Sequence, residues 1–301
     1  MGQHPEETPK VLPFPIIRDT LDPLAEALTT LLDREFPQAL ASIPDIQPLL
    51  LITTLAARNT YAAIRFLAAD FPKDASRQVG FGLTIEPLAR SLADLISTLV
   101  FMREDLPSRV RWFHQGGWRE LKEEFDRHCT QYGKLPEWQD WLQQYGAALE
   151  GVRQLWGISE AEAAAPKKMG VEYWPTPAQM LKGRHKDRST ERNQDFLTFL
   201  NDWVYRGLSA NAHMSAAGIV RRHAFLLLKD DEGRDEFLTK FKSDGFFTAT
   251  TLMVAICTEV NSICKFGRDE KIAYLWRILV EYWPEAKDLF ERRYSEMLAR
   301  T

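Results

Sequence analysis

The sequence is poor in cysteine, has no long unbroken hydrophobic run and carries no excess of basic charge. Its three cysteines are Cys129, Cys257 and Cys264 in 301 residues. So sparse and odd a set builds no disulfide framework and fits a reducing compartment, and a cytoplasmic setting is expected. Cys257 and Cys264 share a helix face but lack the close Cys-x-x-Cys spacing of a zinc site, so they read as small apolar packing residues. The apolar stretches 49–57 and 248–257 end in charge at Arg58 and Glu259, too soon for a bilayer span, and no membrane partner is expected. A net charge of −4 excludes a uniformly basic nucleic-acid binder and leaves only local patches for such a role. Residues 1–15 are proline-rich without the apolar core of a signal peptide, and read as a flexible tail. The chain also lacks a His-Glu-x-x-His pair, a glycine-rich phosphate loop with lysine, and a Gly-x-Ser-x-Gly elbow. No metal and no cofactor are expected.

What is present is helical periodicity. Nine tryptophans and 17 phenylalanines argue for a packed core rather than a disordered chain. Ile17, Leu21, Leu24, Leu28, Leu31 and Leu32 recur at spacings of three and four, which predicts a first helix over 17–36 that Pro37 ends. Further helices are predicted over 46–70, 79–104, 107–131 and 136–156. No segment alternates long enough to build a sheet. Residues 157–189 are punctuated by Gly157, Pro166, Gly170, Pro175, Pro177 and Gly183, and read as a long loop inserted before the sixth helix. That helix is predicted from Ser189 to about Ala217, with a capping signal at Thr190 and Glu191. Residues 219–228 fit either strand or helix, Asp230 to Gly233 a turn, and 244–266 and 269–299 two last helices. The expectation is an all-α, multi-helix bundle forming a single domain over 16–301.

The sixth helix is the most informative segment. At about 100° per residue, Phe196, Phe199, Leu200, Trp203, Gly207, Ala210 and Met214 form its packing face. Asp195, Asp202, Arg206, Ser209 and His213 fall in a second band beside that face. An imidazole near neutral pKa can pass a proton, and a guanidinium can hold a phosphate and offset developing charge. Arg206 and His213 stand about 10 Å apart along a regular helix axis, able to flank one phosphodiester. The same band also fits an ordinary amphipathic helix, with Asp202 and Arg206 as an i, i+4 pair.

The segment Tyr205-Arg206-Gly207-Leu208-Ser209-Ala210-Asn211-Ala212-His213 resembles the Tyr-x-x-Leu-Ser-x-x-x-His helix of a large family of uncharacterised bacterial helical proteins. Ala89-Arg90-Ser91-Leu92-Ala93-Asp94 is similar to that family's Arg-x-x-x-acid helix. The run from Arg111 through Trp118 to Leu121 is similar to the helix that follows it. Arg206 and His213 also match the longest form of the Arg-x4–6-His signature of HEPN-type ribonucleases. The residue after the arginine, usually polar in those enzymes, is Gly207 here. The resemblance implies a helical bundle and, in the HEPN case, metal-independent RNA cleavage by a homodimer, in a toxin or defence effector. Carried over, Arg206 and His213 are the catalytic pair, with Asp202 and Ser209 in a supporting polar network.

Two other groups of charge stand near this reading. Between Gly80 and Met102 the charged residues are Glu86, Arg90 and Asp94. They either face the sixth helix and orient Arg206 or His213, or form an ion-pair ladder of their own. Lys182, Arg184, Lys186 and Arg188 directly precede the sixth helix and read either as a contact for an RNA backbone or as a solvated charge run. Arg58 and Arg65 share a face of the second helix, expected to be solvated. Trp112, Trp118, Trp138 and Trp141 recur at helical intervals and read as core or interface. Against the ribonuclease stands a second possibility, a non-catalytic scaffold whose polar band is a structural network or a partner surface.

Overall fold

The computed structural model describes residues 14–40, 46–69, 75–165, 172–186, 189–205, 208, 216, 219–220 and 231–299. Among them every regular element is helical, so the protein is all-α. In order these are α1 (Phe14–Thr30), α2 (Phe36–Leu40), α3 (Gln47–Ala69), α4 (Ala75–Arg103), α5 (Leu106–Tyr132), α6 (Pro136–Leu155), α7 (Glu160–Ala164), α8 (Pro177–Met180), α9 (Gly183–Lys186), α10 (Glu191–Leu200), α11 (Asp231–Cys264), α12 (Asp269–Tyr282), α13 (Pro284–Leu289) and α14 (Ser295–Ala299). Three π-helical turns interrupt them, at Leu31–Glu35, Asn201–Tyr205 and Phe290–Tyr294. The chain divides into two compact units: residues 1–100 with 191–301, and residues 101–190.

The first unit is built on α11, which packs against α1, α3 and α12. Leu252 through Cys257 are all fully buried, each large aliphatic side chain contributing about 1.5–3 kcal/mol. Burial pushes both the Cys257 and Cys264 thiols up to about 12, as fits packing residues. The buried hydroxyls of Thr250, Thr251 and Thr258 donate to carbonyl oxygens four residues back, which lets polar side chains sit in the core at little cost. Thr258 Oγ1 also accepts from Trp276 Nε1 at 3.0 Å. The stretch 248–257, read as too short for a bilayer span, lies within a longer apolar helix. Phe241–Cys264 is long and apolar enough to cross a membrane, with 83% of its most apolar stretch buried inside the protein.

Three predicted boundaries move. The first helix runs past Pro37 to Leu40. The π turn just before it widens the backbone where the proline ring would otherwise strike the preceding turn. The turn expected from Asp230 to Gly233 is already helix from Asp231. The last predicted helix breaks at Trp283, which is extended (φ −139°, ψ 105°) ahead of Pro284, because the residue before a proline avoids the α region. Ile219 and Val220 are helical, while 221–228 lies outside the described residues. The arginines of α3 meet acids of the first helix rather than solvent alone: Arg58 pairs with Asp33 at 2.5 Å and Arg65 with Asp22 at 3.4 Å.

The second unit centres on the α5–α6 hairpin. Trp118 is buried with Leu149 and Ile158 beneath Phe125, Tyr145 and Trp156, and its Nε1 donates to Leu149 O at 3.0 Å. Trp141 is 39% exposed and stacks on Tyr145 at 4.9 Å, so the tryptophans divide between core and surface. Gly157 (φ +60°) ends α6 in the left-handed conformation, and Ile158 N–H returns to Arg153 O at 3.1 Å. Within 157–189, α7 and α8 each open on a reciprocal capping box, from Ser159 with Glu162 and from Thr176 with Gln179. Residues 172–174 cross α5 closely. Trp112 Nε1 donates to Glu172 O and Tyr173 O, and Trp174 packs edge-on against Phe101, Trp112 and Phe113.

His114 gives this unit a pH response. Its ring stacks on Trp156 at 3.6 Å, and burial lowers its pKa from 6.5 to about 4. The folded protein therefore holds His114 neutral where the unfolded chain protonates it, so stability present above pH 6.5 is lost as pH falls toward 4. The ring is only partly buried, and an imidazolium over an indole recovers some attraction, so the expected loss by pH 5 is about 1 kcal/mol. Urea midpoints at pH 7 and pH 5 check this: His114→Phe should remove that part of the pH dependence, and an unchanged slope refutes the assignment.

Candidate functional site

The described part of the sixth helix is α10 and the π turn that follows it. α10 buries Asn193, Phe196, Leu197 and Leu200. Its first turn is held by a buried charged group. Glu259 on α11 is fully buried and Arg293, from the third π turn, is 4% exposed. Arg293 donates from Nε to Glu259 Oε1 at 2.5 Å and from Nη2 to Glu259 Oε2 at 3.2 Å, a two-pronged pairing that satisfies both ions. Its third arm, Nη1, donates to Asn193 Oδ1. Arg192 reaches back to Arg293 O at 3.0 Å and to Glu296 at 2.6 Å. Asp195 pairs with Arg292 at 3.1 Å. The guanidinium groups of Arg292 and Arg293 lie over the rings of Phe199 and Phe196. A charge this deep must be paired, and here the pairing ties α10 to α11 and to the turn Phe290–Tyr294.

The π turn changes the angular reading of the helix. A regular helix would continue its packing face from Leu200 to Trp203 and Gly207. The buried residues instead run Phe196, Leu200, Val204, Leu208, because the wider turn adds about one residue within Asn201–Tyr205. The polar band is therefore not one straight line through Asn201–Tyr205. Asp195 and Asp202 are both exposed, and Asp202 Oδ1 accepts from Asn201 Nδ2 at 3.1 Å. Arg206, Ser209 and His213 lie outside the described residues, as does Arg188. Lys182 is exposed; Arg184 and Lys186 are in α9, their side chains not among those described. Arg90 reaches Asp94 within its own helix at 3.9 Å, and Glu86 is half-buried one turn earlier. Thr190 N–H and hydroxyl both donate to Glu104 Oε1 at 2.8 Å.

Two of the clefts among the described residues lie in the second unit. The first, about 480 Å³, has Trp118, Phe125 and Leu149 among its lining. The charges at its rim are matched locally. Lys122 pairs with Asp126 at 2.5 Å, and Arg153 binds Glu150 on both oxygens, holding the Glu150 carboxyl down to about 2. The second, about 560 Å³, lies between Glu104, Arg109, Trp112, Glu172 and Thr190. Glu104 is engaged there by Arg109 at 3.3 Å and by Thr190. His185 stacks on Trp112 at 5.6 Å, with Nε2 4.0 Å from Glu172. The first rim is matched locally and the second sets Glu104, Asp105 and Glu172 against Arg109, which makes both poor seats for a phosphodiester. Comparison of the chain with protein-family models, with curated proteins and with solved structures finds no match.

Glu259, Arg293 and Asn193 are not among the candidates drawn from the sequence. Glu259 had a signal, since a lone acid ending an apolar run must find a partner if the helix is core. Arg293 had none, because it sits in a charged stretch, Glu291-Arg292-Arg293, where nothing in the spacing marks it as buried.

Proposed function

We propose that the protein is a HEPN-like, metal-independent ribonuclease. In this reading His213 moves the proton of the attacking and leaving oxygens, and Arg206 offsets the phosphate charge that builds in the transition state. Asp202 and Ser209 support that pair, with Glu86, Arg90 and Asp94 oriented behind it. Lys182, Arg184, Lys186 and Arg188 hold the RNA backbone, an attraction that weakens with salt. The working form is a homodimer in the cytoplasm, acting as a toxin or defence effector. The observation that carries the reading is the π turn Asn201–Tyr205, which ends one residue before Arg206. Such turns occur disproportionately at functional sites, and this one follows a helix anchored by a buried ion pair. Purified protein incubated with RNA and chelator is expected to cleave it, and His213→Ala to lower the rate by about 10²–10⁴-fold. No cleavage by the wild type, or equal cleavage by the variant, ends the proposal.

One surface favours a second reading, a partner-binding scaffold. The helix α3 exposes Ile52 (65%), Leu55 (39%) and Phe66 (62%), at spacings of three and eleven that keep them on one face. Apolar faces of this kind mark protein contacts. In that reading His213→Ala changes stability and there is no cleavage to lose.

A further inference from the structure

We propose that the exposed face of α3 is the contact of a homodimer, in which a second copy of the chain packs its own α3 antiparallel across Asn59. The proposal rests on the reading of α3 as a partner surface and commits that surface to one occupant.

Three observations carry it. First, α3 has two faces of different character. Leu50, Thr54, Ala57, Tyr61 and Ile64 are buried, and the Tyr61 hydroxyl shares a hydrogen bond with Thr250 of α11 at 2.9 Å. The other side, Ile52, Leu55, Ala56, Asn59, Ala62, Ala63 and Phe66, is exposed. At about 100° per residue all of these fall within about 60° of Asn59. The stripe runs for about four turns without a charge, which suits a protein contact better than a solvated face.

Second, the stripe is complementary to itself. A two-fold contact sets one residue against another and the second against the first. In antiparallel pairing about Asn59, Ile52 lies opposite the partner's Phe66, Leu55 opposite the partner's Ala63, and Ala56 opposite the partner's Ala62. The largest side chains stand at the two ends and small ones surround the middle, so the helix axes can come close. Asn59 meets its own copy. An amide both donates and accepts, so two of them pair reciprocally, and a lone asparagine in an apolar seam fixes register.

Third, the flanking charge does not oppose the approach. Arg58 and Arg65 border the stripe, and each is held by an acid of its own chain, Asp33 at 2.5 Å and Asp22 at 3.4 Å. Two copies therefore meet without the like-charge repulsion of unpaired arginines. A strongly charged partner, by contrast, finds nothing on the stripe to pair with. A face about 27 Å long and 10 Å wide falls short of the about 800 Å² per partner of a standard interface. The dimer is accordingly weak, with Kd in the range of about 1–100 μM.

Sedimentation equilibrium of the full chain from about 1 to 500 μM is expected to show monomer passing to dimer and nothing larger, since a two-fold contact closes on itself. Phe66→Glu brings an acid against Ile52 at both ends of the contact and should weaken association about 100-fold or more. Its urea midpoint in dilute solution should match the wild type, because Phe66 is 62% exposed in the single chain. Register is read by oxidation in a Cys129→Ser background, the other two cysteines being buried. Asn59→Cys should link to its own copy. Ile52→Cys, whose copies lie about 21 Å apart along the axes, should not, yet should link to Phe66→Cys when the two are mixed. A monomer at every concentration, a dimer indifferent to Phe66→Glu, or self-linking by Ile52→Cys overturns the proposal. If the chain stays monomeric and the dilute midpoint of Phe66→Glu is unchanged, only the second copy is refuted and α3 remains an open surface. If that midpoint falls, the face is covered by its own chain, and the reading of α3 as a partner surface fails with it.

Discussion

Replacing Glu259 alone with alanine lowers the stability of the unit that contains it by about 3–5 kcal/mol. The cost comes less from the lost attraction than from what remains. Arg293 is 4% exposed, and without Glu259 its guanidinium keeps a full charge against the neutral Asn193 amide and a ring face. Arginine does not escape by losing its proton. The turn Phe290–Tyr294 must then rotate outward, taking with it Tyr294, which is fully buried and stacks on Trp276 at 5.1 Å. Denaturant unfolding should show the midpoint fall with the slope nearly kept. A loss below about 1 kcal/mol would mean that water already reaches the pair. The apolar exchange of both partners should cost far less, which distinguishes a stranded charge from a lost contact.

Gly116→Ala destabilises the second unit by about 2–3 kcal/mol, through backbone rather than side chains. A Cβ at this position would stand 2.6 Å from Trp174 N and 3.2 Å from Glu172 O. Neither atom can rotate away, so the segment 172–174 must lift from α5. With it go the two acceptors of Trp112 Nε1, the hydroxyl bond from Tyr173 to Glu123 and the packing of Trp174 against three rings. At Gly117, one residue on, a Cβ would meet nothing within 4 Å, so Gly117→Ala is the matched control and should be neutral or slightly stabilising. Tryptophan fluorescence and limited proteolysis near residue 172 report the lift. Equal stability of the two variants would contradict it.

The helical class and the extents of α3, α5 and α6 follow from spacing because each carries an unbroken apolar period with proline at or near an end. The π turns do not show in spacing. They keep the helical hydrogen-bonding direction and alter only the count per turn, so a run such as Phe196, Leu200, Trp203 reads as a regular face. The shift becomes visible only in the burial of Val204 and Leu208, with Trp203 left half-buried. Tertiary partners were equally hidden. Arg293 and Arg292 are neighbours of the same type, yet one is buried against Glu259 and the other is 42% exposed beside Asp195. Thr190 had the residue type of a cap, and its bond to Glu104 has no signal in the spacing, because the acid comes from the turn between α4 and α5.

The extra residue in the turn Asn201–Tyr205 also bears on how such helices are to be compared. A spacing counted across it, as from Asp202 to His213, is a distance along the chain that no longer fixes a direction around the axis. Two proteins with the same Leu-Ser-x-x-x-His letters present them on different sides if only one has the wide turn. Alignment of their cores, Leu200 to Val204 to Leu208, is then the proper common frame, with a one-residue gap in the letters as its expected signature.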